Sequence, residues 1–173
     1  MFNTTYKAQS RVDAELTNGA DVQVAVFPGK GGISTSLQMR LKALPGVVGL
    51  QPMQHRFAYV GTDLQDLYGI DPVHLSEATH IDNAYFAKGN AKATLAALAA
   101  RPDGVLVSSE TVKDYQLKPG DLVYLRLQNA KDNQYRVVSF HFLDIVKEFP
   151  TAPKDSFLAA NASYIAQQTL SDW

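Results

Sequence analysis

The stretch Gly104-Val105-Leu106-Val107-Ser108-Ser109-Glu110-Thr111, continued by Leu117-Lys118-Pro119-Gly120-Asp121 and Leu122–Leu127, decides how the chain is read. Val105-Leu106-Val107 is apolar at every position, as in a buried strand. Ser108 or Ser109 can cap a short helix running to Tyr115, because a serine hydroxyl accepts a hydrogen bond from a first-turn N–H that has no intrahelical partner. Leu117–Asp121 sets proline beside glycine, which reverses the chain, and Leu122–Leu127 returns as a strand. Strands and helices are interspersed without a strict βα repeat. That order implies an α+β domain, a mixed sheet with packed helices, built as one unit or as two small, intimately packed subdomains.

Downstream, Asn129–Asn133 reads as a hairpin loop, Tyr135 to about Val146 as a long strand, and Asn161–Leu170 as a helix. Upstream, Asn90 caps a helix whose face is Ala91, Leu95 and Leu98, ended by Arg101-Pro102-Asp103-Gly104. Residues 62–89 carry turn signals at Gly69, Asp71-Pro72, Asp82-Asn83 and Gly89, so short helical turns in an irregular connection are expected there. Val47–Gly61 supplies one or two strands, with Pro52 marking an edge or a bend. Before it, Ser34 or Ser36 caps a helix whose stripe of Leu37, Leu41 and Leu44 is assigned to the core, and Pro45-Gly46 ends it. Asp21–Phe27 reads as a strand. Residues 2–16 read as an amphipathic helix, since Phe2, Tyr6, Ala8, Val12 and Leu16 share one half of the helical wheel.

The composition excludes several classes of function. Sixteen basic against seventeen acidic side chains leave a net charge of -1 over 173 residues, so no global field draws in nucleic acid or an anionic membrane. Cysteine is absent, which removes disulfides, thiolate catalysis and cysteine-ligated zinc. Apolar stretches such as Gly104–Val107 and Thr94–Ala100 fall short of the ~20 residues of a membrane helix. The first residues have neither the basic nor the apolar region of a signal peptide. No internal repeat is visible.

Four groups of residues invite a chemical reading. Phe27-Pro28-Gly29-Lys30-Gly31-Gly32-Ile33-Ser34 joins a strand to a helix, where phosphate can meet backbone N–H groups. It lacks the Gly-Lys-Ser/Thr core of a P-loop and the third glycine of the dinucleotide pattern, and reads as a flexible turn. Asp71, His74, Glu77 and His80 recur every three residues, yet on a helix each step turns back about 60°, so the first and last diverge. His55 and His141 lie in strand-like segments and read as sheet residues, and Asp121 reads as a turn residue bonded to backbone. The two glycosylation sequons at Asn3 and Asn161 matter only in a eukaryotic secretory pathway. No catalytic residue, metal ligand or cofactor-binding residue is assigned, and no cofactor is expected.

Two stretches carry a family resemblance. Arg40-Leu41-Lys42-Ala43-Leu44-Pro45-Gly46-Val47-Val48-Gly49-Leu50-Gln51-Pro52 is similar to the helix, Leu-Pro-Gly-Val, strand passage of FtsX/MacB-type ABC-transporter permease ectodomains. Val60-Gly61-Thr62-Asp63 and Leu67-Tyr68-Gly69-Ile70-Asp71-Pro72 continue it, and Gly104–Thr111 with Leu117–Asp121 resembles the family's strand, short helix, turn, strand passage. Phe142-Leu143-Asp144-Ile145-Val146 departs from it by lacking the usual glycine. The resemblance spans most of residues 20–150 and is closest to actinobacterial permeases. It implies a fold like the MacB periplasmic core, with a juxtamembrane helix at residues 1–18, an extracytoplasmic domain at 19–160 and a helical segment at 161–173 leading to the rest of the permease. It further implies a non-catalytic role in relaying ATP-driven movement to a substrate or partner protein. The ATPase subunit is then a separate cytoplasmic partner, and the membrane is reached through helices outside this sequence. The rivals are a soluble ligand-binding or hydrolase domain and a small β-barrel DNA-binding regulator, since Leu117–Asp121 before a strand also occurs in swapped-hairpin regulators.

Overall fold

The computed structural model describes residue 20, residues 22–25 and residues 33–171. In chain order these form helix α1 (Thr35–Lys42), strands β1 (Gln54–Val60) and β2 (Asp63–Ile70), helix α2 (Ala91–Ala100), strand β3 (Gly104–Ser108) and helix α3 (Ser109–Asp114). Strands β4 (Leu122–Gln128), β5 (Tyr135–Val146) and β6 (Phe157–Asn161) and helix α4 (Ala162–Thr169) complete the order. Two single 3-10 turns, Leu75–Glu77 and Asn83–Tyr85, lie between β2 and α2.

The six strands close into a barrel in the order β1-β2-β6-β3-β5-β4. Pairing is antiparallel for β1–β2, β3–β6, β4–β5 and the closing β1–β4 seam, and parallel for β2–β6 and β3–β5. This corrects the α+β expectation of a mixed sheet with packed helices, like the MacB periplasmic core. Two strands that the sequence reading left out account for the difference. Asp63–Ile70, read as part of an irregular connection, is β2, and Phe157–Asn161, of which that reading places only Asn161, at the start of the last helix, is β6. Together they supply the wall that joins β1 to β3.

The pairing set is unchanged when β1 is exchanged with β4, β2 with β5 and β3 with β6. The barrel is thus two interleaved copies of a hairpin, strand and helix unit, β1-β2-β3-α3 and β4-β5-β6-α4. Central strands β3 and β6 are buried at every residue and run antiparallel. Each leads directly into a short helix, through Ser108 and Asn161 respectively.

Two apolar cores follow from the pleat, which sends alternate side chains to opposite faces. Inside the barrel lie Ala58, Val60, Leu67, Val105, Val107, Val123, Leu125, Leu127, Val138, Phe140, Phe142, Leu158 and Ala160, joined by Ile165 of α4, with Val112 of α3 packed against them. Outside, Tyr68, Ile70, Leu106, Val146, Phe157 and Ala159 turn away from the lumen and are covered by Leu95 and Leu98 of α2 and by Leu75, Tyr85, Phe86 and Phe149. A bulge between Val105 and Leu106 in the β3–β5 ladder lets β5 serve both cores. It sends Asp144 to the outer one, where Thr94 of α2 donates to its carboxylate at 3.0 Å.

Local chemistry matches the elements. Asn90 caps α2 by accepting from Ala93 N–H at 2.9 Å. Lys118-Pro119-Gly120-Asp121 is a tight turn closed by Asp121 N–H on the Lys118 carbonyl at 2.9 Å, with Gly120 at φ +91 as its third residue requires. Helix α1 is capped by Ser34, which accepts from Leu37 N–H at 3.1 Å. The stripe assigned to the core is a further correction, because α1 buries no residue, Leu44 is 53% exposed and Met39 68%. In the expected strand at 21–27, residues 22–25 are exposed and unpaired. The expected helix at 2–16 and the glycine-rich turn at 27–32 lie outside the described residues.

Candidate interaction surface

Strand β4 alternates strictly. Val123, Leu125 and Leu127 point into the barrel, while Leu122, Tyr124, Arg126 and Gln128 point out. The outward residues are not the polar set that a solvated sheet face carries. Register places Tyr59 opposite Leu64 across β1–β2, Tyr59 opposite Arg126 across β1–β4, and Arg126 opposite Val137 across β4–β5. Leu64, Tyr59, Arg126 and Val137 therefore form one outward row over four adjacent strands. Phe57, Tyr124 and Tyr135 flank it, at 53%, 58% and 42% exposure, and Leu64 and Val137 are 52% and 64% exposed.

The row is held together by ring contacts. The Arg126 guanidinium lies 4.7 Å from the Tyr59 ring centroid, a cation–π arrangement, and donates through Nη2 to the Gly61 carbonyl at 3.0 Å. Tyr135 meets Tyr59 edge to face at 5.2 Å. Gly61, at φ +60, turns β1 into β2. The Tyr115 hydroxyl pins that turn by donating to the Val60 carbonyl at 2.6 Å, with Asp63 Oδ2 3.0 Å away. Burial and then the Asp63 carboxylate push the Tyr115 hydroxyl above its ordinary range.

The residues singled out from sequence fall elsewhere. Asp71 and His74 form a local pair, Nδ1 to Oδ2 at 2.8 Å, with Val73 N–H also bonded to Asp71. Burial alone would raise the Asp71 carboxyl, but these hydrogen bonds outweigh it and hold it below its usual range. Glu77 instead accepts from Gln51 at 3.4 Å, and His80 lies 3.8 Å from Asp82. Among the described residues, no group of three or more potential ligands could hold a metal. His55 stacks on Tyr68 at 4.9 Å and bonds Asp66 at 2.6 Å. Burial, followed by the Asp66 charge, pushes the Tyr68 hydroxyl up to about 12. His141 bonds Asp103 at 2.7 Å, and Asp121 accepts from Lys118 N–H at 2.8 Å.

A shallow depression of about 370 Å³ beside α3 is lined by Lys113, Lys147 and Lys154 together with Glu110, Asp114 and Asp155, so its charges balance. Sequence reasoning passed over the Tyr59–Arg126 row. The signal lay in Leu122–Leu127, where a strand with Val123, Leu125 and Leu127 on one face also carries Leu122 and Tyr124 on the other. Comparison with known proteins finds neither a family model nor a curated protein that this sequence matches.

Proposed function

We propose that this chain is a non-catalytic, partner-engaging domain from the extracytoplasmic side of an FtsX/MacB-type permease, with ATP hydrolysis carried by a separate cytoplasmic subunit. The observation that carries the reading is the outward row of Leu64, half-buried Tyr59, Arg126 and Val137 with its exposed aromatic flanks. Contiguous exposed apolar surface of this kind marks interaction sites in folded domains. Tyrosine and arginine are also among the residues that dominate the energetics of protein interfaces. The local order of elements adds support. Leu-Pro-Gly-Val lies between helix α1 and strand β1, and Gly104–Asp121 runs as strand, short helix and turn before β4. These two local orders resemble the passages quoted above, while the closed barrel differs from the fold the resemblance implies.

The test has two arms. The coding sequence on either side of this segment should encode apolar spans of ~20 residues. In the parent protein reconstituted with its ATPase, Tyr124→Ala with Val137→Asp should leave basal ATP hydrolysis intact and abolish coupled work. Flanks without apolar spans would remove the permease reading. A swapped-hairpin DNA-binding regulator is the second reading, favoured by the closed barrel with its interleaved halves. A net charge of -1 opposes it, since binding to phosphate backbones needs a basic face. Salt-dependent retardation of duplex DNA by the 173-residue chain would reverse that order.

A further inference from the structure

We infer that the Tyr59–Arg126 face binds a protein segment that presents a carboxylate flanked by aromatic or aliphatic side chains. The inference rests on the reading of this chain as a partner-engaging domain and specifies the chemistry of the partner.

Charge comes first. Arg126 sits in the middle of the row, between Tyr59 and Val137. Among the described residues no carboxylate lies within ion-pair distance of it. Its neighbour Arg136, by contrast, is already paired with Asp132. The Arg126 guanidinium is held by the Tyr59 ring and the Gly61 carbonyl, neither of which cancels its charge. A planar guanidinium fixed over an aromatic ring keeps donors for a carboxylate, and desolvation by flanking apolar groups strengthens that bond.

Size comes second. At ~200 Å² per aromatic side chain, the exposed fractions of Phe57, Tyr124 and Tyr135 leave roughly 300 Å² open, and Leu64 and Val137 extend it. That is on the scale of the ~300–600 Å² of the largest patch on a typical monomer, which is often functional. It is also less than the ~800 Å² per partner of a standard interface, so the patch makes an interface core with a polar rim. Gln128, Ser139 and the His55–Asp66 pair are placed to form that rim.

A second copy of this chain fits less well. A two-fold contact centred on the row brings Arg126 against Arg126, and like charges facing one another in a desolvated interface are unfavourable.

The probe is a displayed library of random twelve-residue peptides panned on the 173-residue chain, with the selected peptides titrated by calorimetry. Selected peptides should carry Asp or Glu between aromatic or aliphatic residues. Arg126→Glu and Tyr124→Ala should each weaken binding at least tenfold, and His80→Ala should not. Replacing the peptide's acidic residue by Lys should recover binding to Arg126→Glu. Circular dichroism of each variant keeps misfolding from counting as support. Four results would overturn the inference: no enrichment, enrichment of neutral or basic peptides, binding indifferent to Arg126→Glu, or sedimentation showing a dimer that Arg126→Glu tightens. Acidic-peptide binding in a chain whose parent gene lacks flanking membrane spans would leave this surface standing and remove only the permease reading.

Discussion

Asn161, 6% exposed at the end of β6, tests how the barrel holds its outer helix. Its Nδ2 donates to the carbonyls of Leu98 at 2.9 Å and Pro102 at 3.1 Å, with the Arg101 carbonyl 3.3 Å away. These carbonyls lie at the C-terminal end of α2, where the last turn has no N–H partners of its own. One amide thus ties the central strand to the helix that covers the outer core. Asn161→Ala removes two donors and leaves a buried carbonyl at Leu98. At ~1 kcal/mol for each lost bond and ~1–3 kcal/mol for an unsatisfied buried group, the cost is about 2–4 kcal/mol. Asn161→Asp keeps the shape but aims a charged acceptor at three carbonyl oxygens, so it should cost more than the alanine change, roughly 4 kcal/mol or more.

The two substitutions also differ in pH dependence. In Asn161→Asp the new carboxyl is buried against three carbonyl oxygens, so its folded pKa lies above the unfolded value of ~3.9. The folded state then binds the proton more tightly. The charge penalty is absent below about pH 3.9, grows as pH rises and is complete above the folded pKa. Urea melts of both variants and the parent chain across pH 4–8 measure this. If the aspartate variant is as stable as the alanine variant at neutral pH, or both lie within about 0.5 kcal/mol of the parent, the tie between β6 and α2 is not made by this side chain.

Phe140, fully buried in the lumen and edge to face with Tyr164 at 5.2 Å, should cost about 3–5 kcal/mol on Phe140→Ala in denaturant melts. Leu41→Ala, which the helical stripe alone would place at ~2–5 kcal/mol, should cost less than about 1 kcal/mol, because α1 buries no residue. His74 is held above its ordinary value of 6.5 by the Asp71 hydrogen bond, then by the Asp71 charge, with Glu77 adding and Lys42 opposing. Its contribution to stability is therefore fully present below pH 6.5 and is lost as pH rises through the folded value. Proton NMR titration should find the His74 midpoint above 6.5, and Asp71→Asn should lower it.

The local signals in the sequence were strong where chemistry is local. The Asn90 cap, the Lys118–Asp121 turn and the strands at Leu122–Leu127 and Tyr135 to about Val146 need only near neighbours, and each is read correctly from the residues concerned. Closure of the barrel depends on distant partners. β2 was missed because Asp63, Asp66 and Gly69 look like loop chemistry. Asp66 is acceptable there because it faces outward to His55, and Gly69 because it packs beside Ala162 of α4. β6 was missed because Ala159-Ala160-Asn161 has little intrinsic strand preference. It becomes a strand because it sits between β2 and β3, where small side chains fit. The symmetry of the strand pairing is not accompanied by a repeat in the sequence. What the two halves share is pairing, and Val112 and Ile165, which fill the two helix positions against the lumen, differ in type and surroundings. The candidate surface was illegible for the same reason, since Leu64, Tyr59, Arg126 and Val137 become neighbours only once four strands are in register.

The symmetry of the pairing also bears on the position of that surface. Two equivalent halves would present equivalent walls, but their connections differ. Residues 71–103 between β2 and β3 carry the 3-10 turns and α2, while the matching link between β5 and β6, residues 147–156, is short. The long connection, with Phe149 of the short link, buries the outward side chains of β2, β3, β6 and the end of β5. Nothing comparable among the described residues covers β1, β4 and the start of β5, where Phe57, Tyr124 and Val137 remain exposed. The lumen of the barrel is filled by its own side chains, so the proposed binding surface is placed on the outer wall. Among the described residues, β1, β4 and the start of β5 are the part of that wall the α2 connection leaves uncovered.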